Sequence, residues 1–168
     1  NYYAVMGVPE TFVDAVSQGY AAATAEDIDL ALQNPAYFDI KGSFTVEGNT
    51  INVIADFMAY AHIENVRAFV AVSEKTTTNN LGNDEETQYH HVMMKMMEDA
   101  DGNEITSINA GEYHRLELSC DMSSTFVEDM NDLEVVMWLQ NYDTKEVFNS
   151  NFAYGYTEHC YPARNLTA

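Results

Sequence analysis

Residues 89–99 read YHHVMMKMMED and concentrate imidazoles and thioethers, the soft donors that hold copper. Under strict strand alternation His90, Met94 and Met96 share one face with Val92, while His91, Met93 and Met97 share the other. His90, Met94 and Met96 are therefore the candidate metal ligands. Methionine is also an adaptable packing residue, and the same pattern is satisfied by a strand that carries no ion. Further on, DADGNE (99–104) places carboxylates at alternate positions around a glycine, a faint calcium pattern without the closing bidentate Glu of a full ligand loop. Asp101-Gly102 reads instead as a hairpin turn of the type I′ class. Packing and turn formation account for both stretches, so the sequence assigns no cofactor and no metal.

Covalent chemistry has no frame here. Ser, His and Asp are all present, but there is no G-x-S-x-G elbow and no catalytic-cysteine signature around Cys120 or Cys160. His62, His114 and His159 are scattered, and there is no glycine-rich phosphate loop. The 27 acidic residues single out no carboxylate pair and are expected mainly on a solvated surface. The chain therefore reads as a non-enzyme, with no catalytic residue. Cys120 and Cys160 also lack CxxC spacing and a histidine at zinc-finger distance. A single disulfide between them is the candidate. Two thiols in a reducing compartment would look the same in sequence.

The elements that position these residues follow from composition and period. A length of 168 residues, 46% of them hydrophobic and 12% aromatic, supports one substantial core and leaves too little chain for two ordinary domains. A formal net charge of -20 repels phosphate backbones and anionic membranes, which argues against nucleic acid as a partner. No apolar run reaches the length of a membrane helix and no leader is visible, so the chain reads as a soluble, mature or trimmed product.

Val8–Asp14 reads as a short strand entered through Pro9. Thr24 with an acid three residues on caps a helix that Asn34-Pro35 stops. From Ala36 onward the period is two. Strands are expected over 38–46, 51–59, 66–72, 89–98, 112–121, 133–139 and 147–154, with a long polar loop over 75–88. About seven strands with no helix between them predict a mainly β fold, an antiparallel β-sandwich of Ig-like or jelly-roll-like kind, with a barrel as the competitor. The expected inward set is Phe44, Val53, Phe57, Val70, Leu116, Leu118, Val135 and Leu139.

VMGVPETFVDA (residues 5–15) followed by TAEDIDLALQN (24–34) resembles the last strand and helix of a thioredoxin-type fold, with Pro9 as its cis-proline. NVRAFVAVSEK (65–75), YHHVMMKM (89–96) and DLEVVMWLQNYDTKEVFNS (132–150) resemble the C-terminal region of the twenty-eight-kilodalton outer-membrane lipoprotein family of Bacteroidetes-type bacteria. The resemblance implies a remnant of a thioredoxin-like domain over 1–34 and a β-sandwich domain over 35–168. It also implies a surface-exposed interaction module of the outer membrane, an adhesin or receptor for a protein or glycan, with a lipid anchor in the full-length precursor. An accessory domain of an extracytoplasmic thiol-disulfide protein and a metal-binding surface protein are the alternatives. An upstream CxxC separates the first of these from the interaction module.

Overall fold

The computed structural model describes residues 7, 10–19, 22–79 and 86–155. A small ribbon comes first, β1 (Phe12–Val13) paired with β2 (Val16–Ser17). Asp14 and Ala15 close it with φ of 44° and 66°, the two left-handed residues that a type I′ connection requires. The expected opening strand is thus short and folds back at once. Pro9 lies outside the described residues, and with it the expected cis bond. Helix α1 (Ala25–Ala31) forms where the capping pattern places it. The Asp27 amide donates to the Thr24 hydroxyl at 3.2 Å, and the Thr24 amide donates back to the Asp27 carboxylate at 2.8 Å.

Eight strands build the body of the protein: β3 (Phe38–Glu47), β4 (Thr50–Ala59), β5 (Ile63–Thr77), β6 (Tyr89–Met96), β7 (Asn103–Ile108), β8 (Tyr113–Asp121), β9 (Leu133–Asn141) and β10 (Val147–Gly155). They run in the order β6-β5-β9-β10-β3-β4-β8, with β7 also on β5. The mainly β character is as expected, but the antiparallel sandwich of about seven strands is not what forms. Two antiparallel ladders, β6/β7-β5-β9-β10 and β3-β4-β8, join into one large curled mixed sheet, a half-barrel. The join is a short parallel step in which Tyr154 and Gly155 of β10 pair with Ser43 and Phe44 of β3. Period-two patterning fixes which side chains point inward and says nothing about which strands are neighbours.

Where β10 and β3 have no backbone pairing, side chains bridge them. Asn149 Nδ2 donates to the Phe38 carbonyl at 2.7 Å, and Asn151 Nδ2 donates to the Ile40 carbonyl at 2.9 Å. Each amide oxygen accepts the next backbone N–H of β10, at Ser150 and Phe152, both at 2.9 Å. Two asparagines thereby continue the hydrogen bonding of the sheet across the seam. The ladders also touch through the core, because a Cβ on Gly42 of β3 would lie 2.4 Å from Met137 Sδ of β9. Only glycine fits there.

A single core fills the concave side. It takes Phe38 and Ile40 from β3, Val53 and Phe57 from β4, Val66 and Val70 from β5, and Val135, Met137 and Leu139 from β9. The expected inward parity holds throughout. Val53, Phe57, Val70, Leu118, Val135 and Leu139 are buried, and Phe44 and Leu116 are half-buried against the same cluster.

Three further differences from the sequence reading share one cause, the length of β5. It spans 15 residues, beyond the expected 66–72, and takes two short strands end to end along one side. One of them, β7, falls in a stretch assigned no strand. Asp101-Gly102 consequently links two strands that share a neighbour, so it is no hairpin. Gly102 alone has positive φ, 78°, whereas a type I′ turn needs two such residues. The C-terminal end of β5 also extends into the polar stretch over 75–88 that is expected as a loop.

That end is fastened by acids. Glu74 of β5 is fully buried, and its carboxylate accepts the Glu128 amide at 3.0 Å and the Asp129 amide at 2.6 Å. Glu128 answers by accepting from Thr77 Oγ1 at 2.7 Å and the Asn79 amide at 2.7 Å. Asp132 Oδ2 takes the Thr76 amide at 3.0 Å. The link between β8 and β9 is thus clamped onto the last turn of β5, so some of the acids are structural. Among the described residues no helix is long and apolar enough to cross a membrane.

Candidate interaction face

Residues that alternate with the core of the β5-β9-β10 ladder point to its convex side. Register pairs Phe69 with Trp138 and Ala71 with Val136, and Trp138 with Ser150 and Val136 with Phe152. The Phe69 and Trp138 rings stack with centroids 5.0 Å apart and planes 5° from parallel. Phe69 is nonetheless buried, because the turn after β6 folds over it: a Cβ on Gly102 would sit 2.7 Å from its ring. Arg67 holds that turn by donating to the Asp101 carbonyl at 3.0 Å. Its guanidinium also lies 3.9 Å from the centre of the Tyr142 ring, which Lys145 approaches at 4.5 Å from the centroid.

The strip continues outward from Trp138 and Val136 to Phe152 and Tyr154, which are 48% and 69% exposed. Beyond the parallel step Tyr154 pairs with Ser43, which pairs with Ile54, itself 41% exposed. An aromatic and aliphatic band therefore crosses the seam between the two ladders. It is flanked by Arg67 and Tyr142 at one end, and towards the β6 edge by His91, whose Nδ1 lies 2.7 Å from Glu134 Oε1. Stacking surface beside fixed hydrogen-bonding groups suits binding, and nothing in the band pairs a nucleophile with a base.

The residues expected to do chemistry are placed elsewhere. His90 is exposed, opposite Thr76, with its ring nitrogens near Thr76 Oγ1 at 3.2 Å and Gln88 Nε2 at 3.1 Å. A register shift in the β5–β6 pairing leaves Met94 unpaired and breaks the alternation. Met94 packs on the core, Met97 is buried in it, and Met96 pairs with Ala71 of the convex side. The expected common face for His90, Met94 and Met96, and the opposite face for Met97, are both undone by that one-residue slip. Asp99 Oδ1 accepts the Asp101 amide at 2.9 Å, so the acidic turn is closed by its own hydrogen bonds. Among the described residues, no group of three His, Cys, Asp or Glu is placed to hold a metal ion.

His62 sits between β4 and β5 beside Asn109, at 2.9 Å, whereas His114 is half-buried on β8 opposite Phe57. Cys120 is half-buried on the concave side of β8, paired with Ile51. Cys160 and His159 lie outside the described residues, so the disulfide expected between Cys120 and Cys160 has only one end in view.

Sequence reading missed the band itself. Phe148, Phe152 and Tyr154 share one parity, yet Phe148 is buried while the other two are exposed, because a bulge between Val147 and Asn149 resets β10. The usable signal was the exposed parity of β9, where Trp138 alternates with core residues.

No protein-family model matches the chain, and no curated protein matches it in sequence. Among solved structures, the chain is similar to a domain of the outer membrane lipoprotein Omp28 from Porphyromonas gingivalis, at 10% identity and TM-score 0.50. That match covers 73% of this chain and 92% of the other. The two share a fold. Partial likenesses also occur to beta-glucosidase 3B from Thermotoga neapolitana (13% identity, TM-score 0.36, 69% of this chain and 16% of that one). A penta-heme cytochrome c552 from Thermochromatium tepidum is matched over 62% of this chain and 32% of that one, at 5% identity and TM-score 0.31.

Proposed function

We propose that this chain is a non-catalytic, surface-exposed interaction module of a bacterial outer-membrane lipoprotein, acting as an adhesin or receptor. The observation that carries the reading is the fold shared with the Omp28 domain over nearly all of that domain's length. The convex band of Trp138, Val136, Phe152 and Tyr154 supplies the contact surface, because exposed aromatics with rigid backbones give large contact area at little entropic cost. A protein or glycan is the partner. In this reading residues 1–34 close a preceding thioredoxin-like unit, and the lipid anchor belongs to the full-length precursor.

The purified chain tests the proposal against immobilised fibronectin, laminin, collagen and a panel of mucin-type glycans. Binding to one of these, reduced at least tenfold by Phe152→Ser with Tyr154→Ser, supports it. Binding that the double variant leaves unchanged removes the band as the contact surface. Absence of binding across the panel counts against an adhesin or receptor role.

A further inference from the structure

The curled sheet has unequal edges. On the β5 side the edge strands are irregular. Register shifts interrupt both β6 and β7, and His91 and Thr106 have φ of 55° and 63°. Bulges and strained residues of this kind stop an edge strand from recruiting another chain. The opposite edge, β8, has no such protection. It pairs with β4 over nine consecutive positions, Tyr113 to Asp121, without a register shift and with no residue of positive φ. Among the described residues no strand pairs with its other side. On the concave face this lip carries His114, Leu116 and Cys120, all half-buried beside the core.

The charges on β8 decide what can pair with it. On the convex face Arg115 and Glu117 are two residues apart and both exposed, and Arg115 already holds Asp56 of β4 through Nε at 2.7 Å and Nη2 at 2.8 Å, with Nη1 outside that pair. In an antiparallel pairing of β8 with itself, a register centred on Glu117 sets Glu117 against Glu117. A register centred on Arg115 sets Arg115 against Arg115. Like charges directly opposite one another are unfavourable. Centring on Leu116 sets Arg115 of each strand against Glu117 of the other, twice by symmetry. The same register places Leu116 on Leu116 and His114 on Leu118, covering the half-exposed lip.

We propose that β8 is a homodimerisation edge: a second copy of this chain adds its own β8 antiparallel, in the register centred on Leu116, and the two curled sheets become one. The interface is self-complementary about a two-fold axis, as closed dimers require. It is small, and the net charge of -20 opposes it, so association is expected in the range of roughly 10–100 µM. This inference is independent of the lipoprotein reading.

Sedimentation velocity on the chain carrying Cys120→Ser and Cys160→Ser tests it, over about 1–200 µM, a span chosen to bracket that range. The expected result is a monomer that becomes a dimer across the series. Arg115→Glu should weaken the dimer at least tenfold, and Arg115→Glu combined with Glu117→Arg should restore it, with unchanged circular dichroism in each variant. In the same background Leu116→Cys should form a disulfide-linked dimer under mild oxidation. A monomer at every concentration overturns the proposal. So does a dimer indifferent to Arg115→Glu that Leu116→Cys fails to cross-link. If Cys120 is retained and Leu116→Cys bonds to the Cys120 of the second copy, the register is centred elsewhere and the proposed pairing is wrong.

Discussion

Replacing Asn149 and Asn151 by alanine removes the side-chain seam between the two ladders while leaving every backbone pairing intact. Each amide makes one bond to a β3 carbonyl and one to a neighbouring β10 amide, at 2.7–2.9 Å. The carbonyls belong to Phe38 and Ile40, 1% and 2% exposed, so water reaches them poorly once the donors are gone. A buried acceptor left without a partner costs about 1–3 kcal/mol, and the two sites lie close enough to couple. The double variant should therefore lose about 2–4 kcal/mol, a large share of a typical domain's stability. Urea unfolding followed by fluorescence of the sole tryptophan reads this directly. Trp138 pairs with Ser150 between the two asparagines and stacks on Phe69, so it reports the β5-β9-β10 ladder. The urea midpoint should fall, and a circular-dichroism transition displaced from the fluorescence one would show the ladders parting separately. Ser150→Ala, exposed on the same strand, is the control and should change stability by less than about 0.5 kcal/mol. A double variant as stable as the control would refute the bridging role.

Three other outcomes follow from the geometry. Glu74→Ala removes a fully buried acceptor from the Glu128 and Asp129 amides, whose bonds to it are part-buried, so it should cost about 1–3 kcal/mol and expose the 122–132 link to limited proteolysis, with Glu74→Gln intermediate. The side-chain bond to Arg115 is the chief cause that holds the Asp56 carboxyl below its usual range, with the charge of Arg115 acting in the same direction against partial burial. Because the folded value is depressed, this contribution is complete above the ordinary carboxylate range, near pH 4, and fades as pH falls through the folded value. Asp56→Asn should therefore flatten the stability-against-pH curve below about pH 4 while leaving its shape at neutral pH unchanged. For Cys120 and Cys160, oxidation should close a loop worth roughly 3–4 kcal/mol. Intact-mass analysis under native conditions should show the chain two hydrogens lighter than its reduced form, and two free thiols would refute the bridge.

The parts of the fold legible in the sequence are those that depend on alternation alone. Val53, Phe57, Val70, Val135 and Leu139 point inward because apolar residues recur at every second position along their strands. Thr24 and Asp27 cap α1 because both partners of the reciprocal bond lie within one helical turn. What escaped depends on events between strands. The slip at Met94 moves Met96 and Met97 to faces their parity denies them, and no local residue announces it. The bulge after Val147 likewise separates buried Phe148 from exposed Phe152. The tandem placement of β6 and β7 on β5, and the parallel step from β10 to β3, reflect the length and curl of neighbours far away in sequence. Glu74 looked like one more surface acid, and only the fold of the 122–132 link reveals its partners.

The central claim is that this fold is displayed at the cell surface as a binding module. Its most direct test is protease shaving of intact cells of the native bacterium that express the full-length precursor with an epitope in the exposed turn at Gly48-Asn49. The expected result is loss of the epitope from intact cells while a periplasmic marker remains whole. An epitope that resists protease until the outer membrane is opened would contradict surface display, and with it the proposed role as adhesin or receptor.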